Sequence, residues 1–346
     1  MTDRGVLRPL AVPDPGIPTL AAVLQGKETR THLLLFAPLA WKLDRLDDIR
    51  TRLIKLQKGN RCTLEIAFRT EGGWHYLIGK VYSRDRADVF EAMKKIWQSG
   101  INRETQFSIP RPVAYLSSLR LLLQEKVEGM LAKSLLLDGN ASQRVEVAER
   151  CALWLARFQA LAPQQGKIMD VQRILRHSER RVRFIVDAGV PFADKARKLF
   201  QRLTDAPPIL DRNAMCAGHG DYKHEHQFLH PQGSTVTFDW DCYDIADPCR
   251  DAALFVIYLE RLALSGLGSI RKLDSASQAF LETYAAASQP GVAARLPFHK
   301  AALYLQEAKR DLGEQHPGWL ERAEIMLDEG LRTLGQDNRG YQTCPN

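Results

Sequence analysis

The hydrophobic pattern of this chain changes period once, and that change limits the folds open to it. Residues 51–57, 62–69 (CTLEIAFR) and 74–82 (WHYLIGKVY) alternate in strand fashion, with Lys58-Gly59-Asn60-Arg61 and Glu71-Gly72-Gly73 as turns. Residues 88–98 (DVFEAMKKIWQ) read as an amphipathic helix with Val89, Phe90, Met93 and Trp97 on one stripe. Two further strands are expected at 112–116 and 121–127. From Glu128 onward the period is helical. Helices are expected near 142–161, 170–187, 192–203, 247–264, 276–287, 297–312 and 318–334, broken by short strands and loops at 215–229 and 236–239. The expectation is an α+β chain of two lobes. A small β-rich lobe, 29–124, joins a larger, mainly helical one, 125–346. Residues 1–28, with Pro13, Pro15 and Pro18, are expected to form a leader that packs loosely or lies across the first lobe.

A chain of 346 residues has the length for roughly two domains at ~150 residues each. With 45% hydrophobic and 26% charged residues it has the composition of a folded globular protein. The cysteines, Cys62, Cys151, Cys216, Cys242, Cys249 and Cys344, form no CxxC pair and no zinc spacing, as expected for reduced thiols in the cytoplasm. The first residues lack the apolar core of a secretion signal, and no run of ~18 apolar residues suggests a membrane span. The net charge of +7 suits an anionic ligand such as a nucleotide and by itself gives little support for nucleic acid.

The chemistry is concentrated in residues 218–255, GHGDYKHEHQFLHPQGSTVTFDWDCYDIADPCRDAALF. Phosphoryl transfer from a nucleotide needs a carboxylate to orient the acceptor hydroxyl, hard ligands for a divalent cation, and a cation on the phosphates. Asp221 is the candidate catalytic carboxylate. Asp239 is the candidate metal ligand, with Asp241 beside it. His226 or Gln227 is the candidate second ligand, and Lys80 on the third strand is placed to hold phosphate. Glu91 on the following helix is the acid expected to orient that lysine. Asp247 caps the next helix with Pro248 at its first position, and Asp251 is expected to hydrogen-bond the catalytic loop.

These residues are similar to those of the aminoglycoside phosphotransferase and choline kinase family, a branch of the protein-kinase-like fold. The resemblance rests on His219-Gly220-Asp221…His226, Phe238-Asp239-Trp240-Asp241 and Asp247-Pro248-Cys249-Arg250-Asp251, in the family's order and spacing. The β-β-β-α-β-β start and Gly79-Lys80-Val81-Tyr82 agree with it, and so does the hinge-like stretch 121–129 (LLLQEKVEG). It covers about residues 45–335. It implies a two-lobed kinase-like fold that uses ATP or GTP with Mg²⁺, or Mn²⁺, and a small hydroxyl-bearing acceptor such as an aminoglycoside, sugar or choline-like compound. It also implies adenine contacts at Gln124, Glu125 and Val127, and a bracing role for His219.

This sequence departs from the family at two places. His226 stands where an Asn is usual, so Mn²⁺ is expected to serve at least as well as Mg²⁺. Activity is then expected to fall below about pH 6.5 as the imidazole protonates. The turn at 58–61 carries one glycine, so Lys58 or Arg61 is expected to supply phosphate contacts. Alternative readings are a kinase of peptide Ser/Thr hydroxyls, a nucleotide-binding pseudokinase, and an iron oxygenase using His219, Asp221 and a distal histidine such as His299. Arg173, Arg176, Arg180 and Arg183 form a stripe at helical spacing, either a solvated face or a surface for an acidic acceptor or anionic partner.

Overall fold

A computed structural model describes residues 14–25, 48–70, 73–209, 214–288 and 292–337. The chain divides into two compact units, residues 1–129 with 236–238, and residues 130–235 with 239–346.

The first unit is built on an antiparallel sheet. Strands β1 (Asp48–Gln57), β2 (Arg61–Thr70) and β3 (Gly73–Tyr82) are followed by helix α2 (Ala87–Gln98), then β4 (Pro112–Leu116) and β5 (Leu121–Glu125); the strand order is β1-β2-β3-β5-β4. Alternation along the strands sorts side chains between two faces. Cys62, Leu64, Ile66 and Phe68 of β2, Leu77 and Val81 of β3, and Leu121 and Leu123 of β5 form one core. Gly79 belongs to this face, where a Cβ would press on Ile66 and Leu121.

Part of the Pro-rich leader completes that core. Ile17 and the short helix α1 (Leu20–Gln25) bury Ile17, Leu20 and Val23 against it. The Thr19 hydroxyl donates to the Leu119 carbonyl at 2.6 Å. Asp14 accepts the Gly59 amide at 2.6 Å and the Gly16 amide at 2.9 Å, which holds its carboxyl below the usual range. Gly16 lies so close to the Gly59 backbone that a side chain there would collide with it.

The stripe read for α2 is rotated in the structure. Val89, Ala92, Met93 and Ile96 are buried, while Phe90 and Trp97 are half-exposed. Strand β5 ends at Glu125 rather than 127, which leaves the backbone of 126–128 outside the ladder.

The second unit is mainly helical: α3 (Ala132–Asp138), α4 (Ala141–Leu161), α5 (Val171–Asp187), α6 (Ala193–Asp205), α7 (Pro248–Leu267), α8 (Asp274–Ala287), α9 (Val292–Glu314) and α10 (Trp319–Asp337). Asn140 and Gln143 form a reciprocal capping box at the start of α4, and Asp170 caps α5. Helix α7 is buried along nearly its whole length, and Leu254 and Ile257 pack with Ile185, Leu199, Tyr304 and Leu327 in a single core. Between α6 and α7 lie the strands β6 (Cys216–Gly218), β7 (Gln227–Leu229) and β8 (Asp244–Ala246). β8 pairs antiparallel with β6 and parallel with Ile168–Met169. Cys151, Cys216 and Cys249 are buried here, Cys62 is buried in the first unit, and Cys242 is exposed. Among the described residues no helix is long and apolar enough to cross a membrane.

Candidate active site

The loop that carries Asp221 leaves β6 through two glycines whose neighbours exclude any side chain. A Cβ on Gly218 would strike the Arg250 guanidinium and the Asp244 carboxylate. Gly220, at φ +78°, faces the Cys242 carbonyl at a distance no Cβ could occupy. The buried Asp251 carboxylate accepts the amides of His219 at 2.6 Å and Gly220 at 3.1 Å. Arg250 bridges Asp251 at 3.2 Å and Asp244 at 2.8 Å. Asp247 caps α7 by accepting the Cys249 amide at 2.9 Å, with Pro248 in the first turn.

His219 is fully buried; its Nδ1 accepts the Asp221 amide at 3.2 Å and its ring lies 4.6 Å from that of Trp240. The Tyr222 hydroxyl donates to the Cys151 carbonyl at 2.6 Å, pinning the loop to α4. These contacts fix the backbone of 219–222, so the Asp221 carboxylate is presented in one direction.

Asp221, His226 and Asp239 converge: one ligand atom from each lies within 4.8 Å of the others. Burial raises the Asp221 carboxyl pKa, the Asp239 charge adds to the rise, and Lys223, donating to Asp221 Oδ2 at 2.9 Å, opposes it. Asp239 sits at φ +70°, the left-handed region that non-glycine residues rarely adopt. Strain of this kind collects at functional positions.

His226 Nδ1 lies 2.9 Å from the Asp221 carbonyl. A carbonyl only accepts, so Nδ1 carries the hydrogen and Nε2 the lone pair. Nε2 faces Asp239 Oδ2 at 3.4 Å. A lone pair and a carboxylate so placed repel unless a cation or proton stands between them. Burial pushes the imidazole pKa down to about 3, which disfavours the proton. The His226 Nε2 lone pair and the Asp239 carboxylate therefore fit a divalent cation, with the Asp221 carboxylate beside it. The same burial argues against a fall in activity below pH 6.5 through His226.

The other expected site residues lie on several elements. Asp241 stands outside the converging group. Gln227 is fully buried at the start of β7. Lys80 is buried on β3, on the face opposite the Leu77–Val81 core and in register with Leu122. Glu91 does not reach it: the turn of α2 that meets the sheet is apolar, Glu91 is exposed, and among the described residues it forms no ion pair with Lys80. Lys58 is exposed in the β1–β2 turn and Arg61 begins β2. Gln124 is buried, Glu125 pairs with Arg103, and Val127 is half-buried beyond the strand end.

The iron-site reading fails on contacts. His299 Nε2 is 3.0 Å from Asp247, and His219 is not in the converging group. Lys223 was not singled out in the sequence, although its place two residues after Asp221 put it on the same loop.

A family model described as the phosphotransferase enzyme family matches residues 70–298. No curated protein matches the chain. Among solved structures, choline kinase from Cryptosporidium parvum Iowa II is similar at a TM-score of 0.60 and 11% identity, over 91% of this chain and 97% of that one. The GDP complex of a variant aminoglycoside 2′-phosphotransferase is similar at 0.55 and 12%, over 90% and 99%. The macrolide 2′-phosphotransferase of Brachybacterium faecium is similar at 0.52 and 16%, over 85% and 98%. At these identities the likeness is one of fold.

Proposed function

The chain belongs to the phosphotransferase enzyme family and is a kinase-type phosphotransferase acting on hydroxyl groups, and from that premise we propose that it moves the γ-phosphate of ATP to a small-molecule hydroxyl with Mg²⁺ or Mn²⁺. The observation that carries this reading is the convergence of Asp221, His226 and Asp239 on a loop fixed by Asp251 and His219.

Asp221 accepts a hydrogen bond from the acceptor hydroxyl. As the new O–P bond forms and the bond to the departing nucleoside diphosphate breaks, the hydroxyl proton passes to Asp221. Its raised pKa brings the carboxylate closer to the basicity this needs. Lys223, hydrogen-bonded to the same carboxylate, holds its rotamer. Asp239 and His226 would hold the divalent cation, which supplies charge neutralisation on the transferring phosphoryl group. Lys80 contacts the nucleotide phosphates, and the backbone of residues 124–127 meets the base; support comes from the burial of Lys80 and from the end of the ladder at Glu125.

The test is acceptor-dependent ADP or GDP release over a panel of hydroxyl compounds. Asp221→Asn should keep nucleotide affinity and lose about 10²–10⁴-fold in turnover. Wild-type turnover in that variant with an established acceptor would sink the assignment.

A further inference from the structure

Helices α5 and α9 pack together in the second unit and line an open surface groove of about 590 Å³. Its charged lining comes from Arg180 and Arg181 on α5 and from Lys309, Arg310 and Glu314 on α9, with His177 beside them. Four cations face one acid, and Glu314 is already engaged by Arg310 at 3.0 Å.

Among the described residues Arg180, Arg181 and Lys309 form no ion pair. Arg181 donates to Gln306, and Lys309 lies over the Phe184 ring at 4.6 Å. Burial pushes the Arg181 guanidinium down to about 10, with Glu307 as the carboxylate acting against that shift. The His177 imidazole pKa is lowered first by burial, then by Arg181, Arg180, Arg173 and Arg176. A neighbouring cavity of about 170 Å³ differs. Its cations are matched: Lys133 pairs with Glu225 at 2.7 Å, and Arg261 with Asp311 at 2.8 Å. In the larger one the acids engage Arg310, and among the described residues Arg180, Arg181 and Lys309 are left without an ion pair.

A relay of side-chain contacts links the larger cavity to the loop that carries Asp221. Arg310 donates to the Tyr258 hydroxyl at 2.9 Å. Lys223 lies over the Tyr258 ring at 5.0 Å and donates to Asp221. Arg310 and Tyr258 line the smaller cavity as well.

We propose that the α5–α9 cavity binds an oxyanion, a phosphate monoester or carboxylate, carried by the hydroxyl acceptor whose phosphorylation Asp221 promotes. The planar fork of a guanidinium matches two oxygens of such an anion at once. The proposal rests on the phosphotransferase reading and narrows it: the acceptor is anionic, and a polycation such as an aminoglycoside is repelled.

The first arm needs no turnover. With the nucleotide site filled by Mg-ADP and ionic strength held constant with sodium chloride, inorganic phosphate is titrated into the full chain. Calorimetry should show binding, and the His177 C2–H resonance should titrate at higher pH once phosphate offsets the surrounding cations. Arg180→Glu combined with Lys309→Glu, both on the cavity rim, should weaken phosphate at least about tenfold. Arg181→Gln serves as a second variant if the pair folds poorly. No phosphate binding, or equal binding in folded variants, overturns the inference and leaves the phosphotransferase reading standing.

The second arm compares glycerol 3-phosphate, glucose 6-phosphate and pantothenate with glycerol, glucose, pantothenol and kanamycin as acceptors. Oxyanionic acceptors should be preferred, and the double variant should raise their KM at least about tenfold, with turnover recovering at saturation. Preference for kanamycin overturns the inference. Failure of the phosphotransferase reading is seen separately, as wild-type turnover in Asp221→Asn.

Discussion

The tautomer of His226 decides what the catalytic loop can bind. Because the Asp221 carbonyl takes the Nδ1 hydrogen, the Nε2 lone pair is directed at Asp239 and the ring offers one nitrogen to a cation. Imidazole suits Mn²⁺ and later metals better than Mg²⁺. His226→Asn should therefore keep activity and move the preference toward Mg²⁺, read as the ratio of turnover in the two metals. An unchanged ratio in an active variant would refute this. Asp221, His226 and Asp239 were legible because they lie in one short motif of fixed order. Glu91 was misjudged because only packing decides which face of α2 turns inward, and Val89, Ala92, Met93 and Ile96 won that face. Lys223 carries no signal in the sequence, because only the fold of the loop brings its amine onto the Asp221 carboxylate.

At the scale of elements, the loop after β6 depends on glycine for both conformation and space. Gly220→Ala would put a side chain at φ +78° against the Cys242 carbonyl. The φ alone costs about 1–3 kcal/mol. The collision must also shift the loop that carries Asp221. We expect a lower melting temperature and at least about a hundredfold loss of turnover; an active variant of wild-type stability would show that the loop yields freely. The strands of the first unit could be read from their alternation and turns. Helix α1 could not, because Ile17, Leu20 and Val23 sit among prolines and glycines, and their burial follows from a sheet face assembled far away in sequence. The arginine stripe on α5 was visible as spacing, but only Arg180 of it lines the space against α9, beside Arg181, which the spacing had not included.

For the whole molecule, the buried histidines set the response to acid. Burial lowers the pKa of His226 to about 3 and of His224 to about 4, against an ordinary value of 6.5. Between those limits the unfolded chain binds protons that the folded chain refuses. Stability should therefore fall as pH drops below about 6.5, by up to about 1.4 kcal/mol per pH unit for each histidine, and level off below their folded values. Asp221 and Asp244, whose carboxyl pKa values are raised by burial, oppose the fall at its acid end. Calorimetric melting from pH 7 to 4 should show the decline, and His226→Gln should flatten it. An equal slope in the variant would assign the acid response to other groups.

Cys242 follows the Asp239 turn with part of its surface in solvent and its thiol among packed groups, so it can report on the charge of this loop. Burial and the charges of Asp221, Asp239 and Asp244 raise its thiol pKa, while Cys62 is pushed up to about 11 and Cys151 to about 12. Alkylation proceeds through the thiolate, so its rate follows the local field. A divalent cation held by Asp239 and His226 would offset the carboxylate charges that suppress ionisation. Iodoacetamide at neutral pH should then modify Cys242 faster in Mn²⁺ than in a chelator, as followed by peptide mass. Asp239→Asn should abolish the difference, so cation loading could be read without any acceptor or nucleotide.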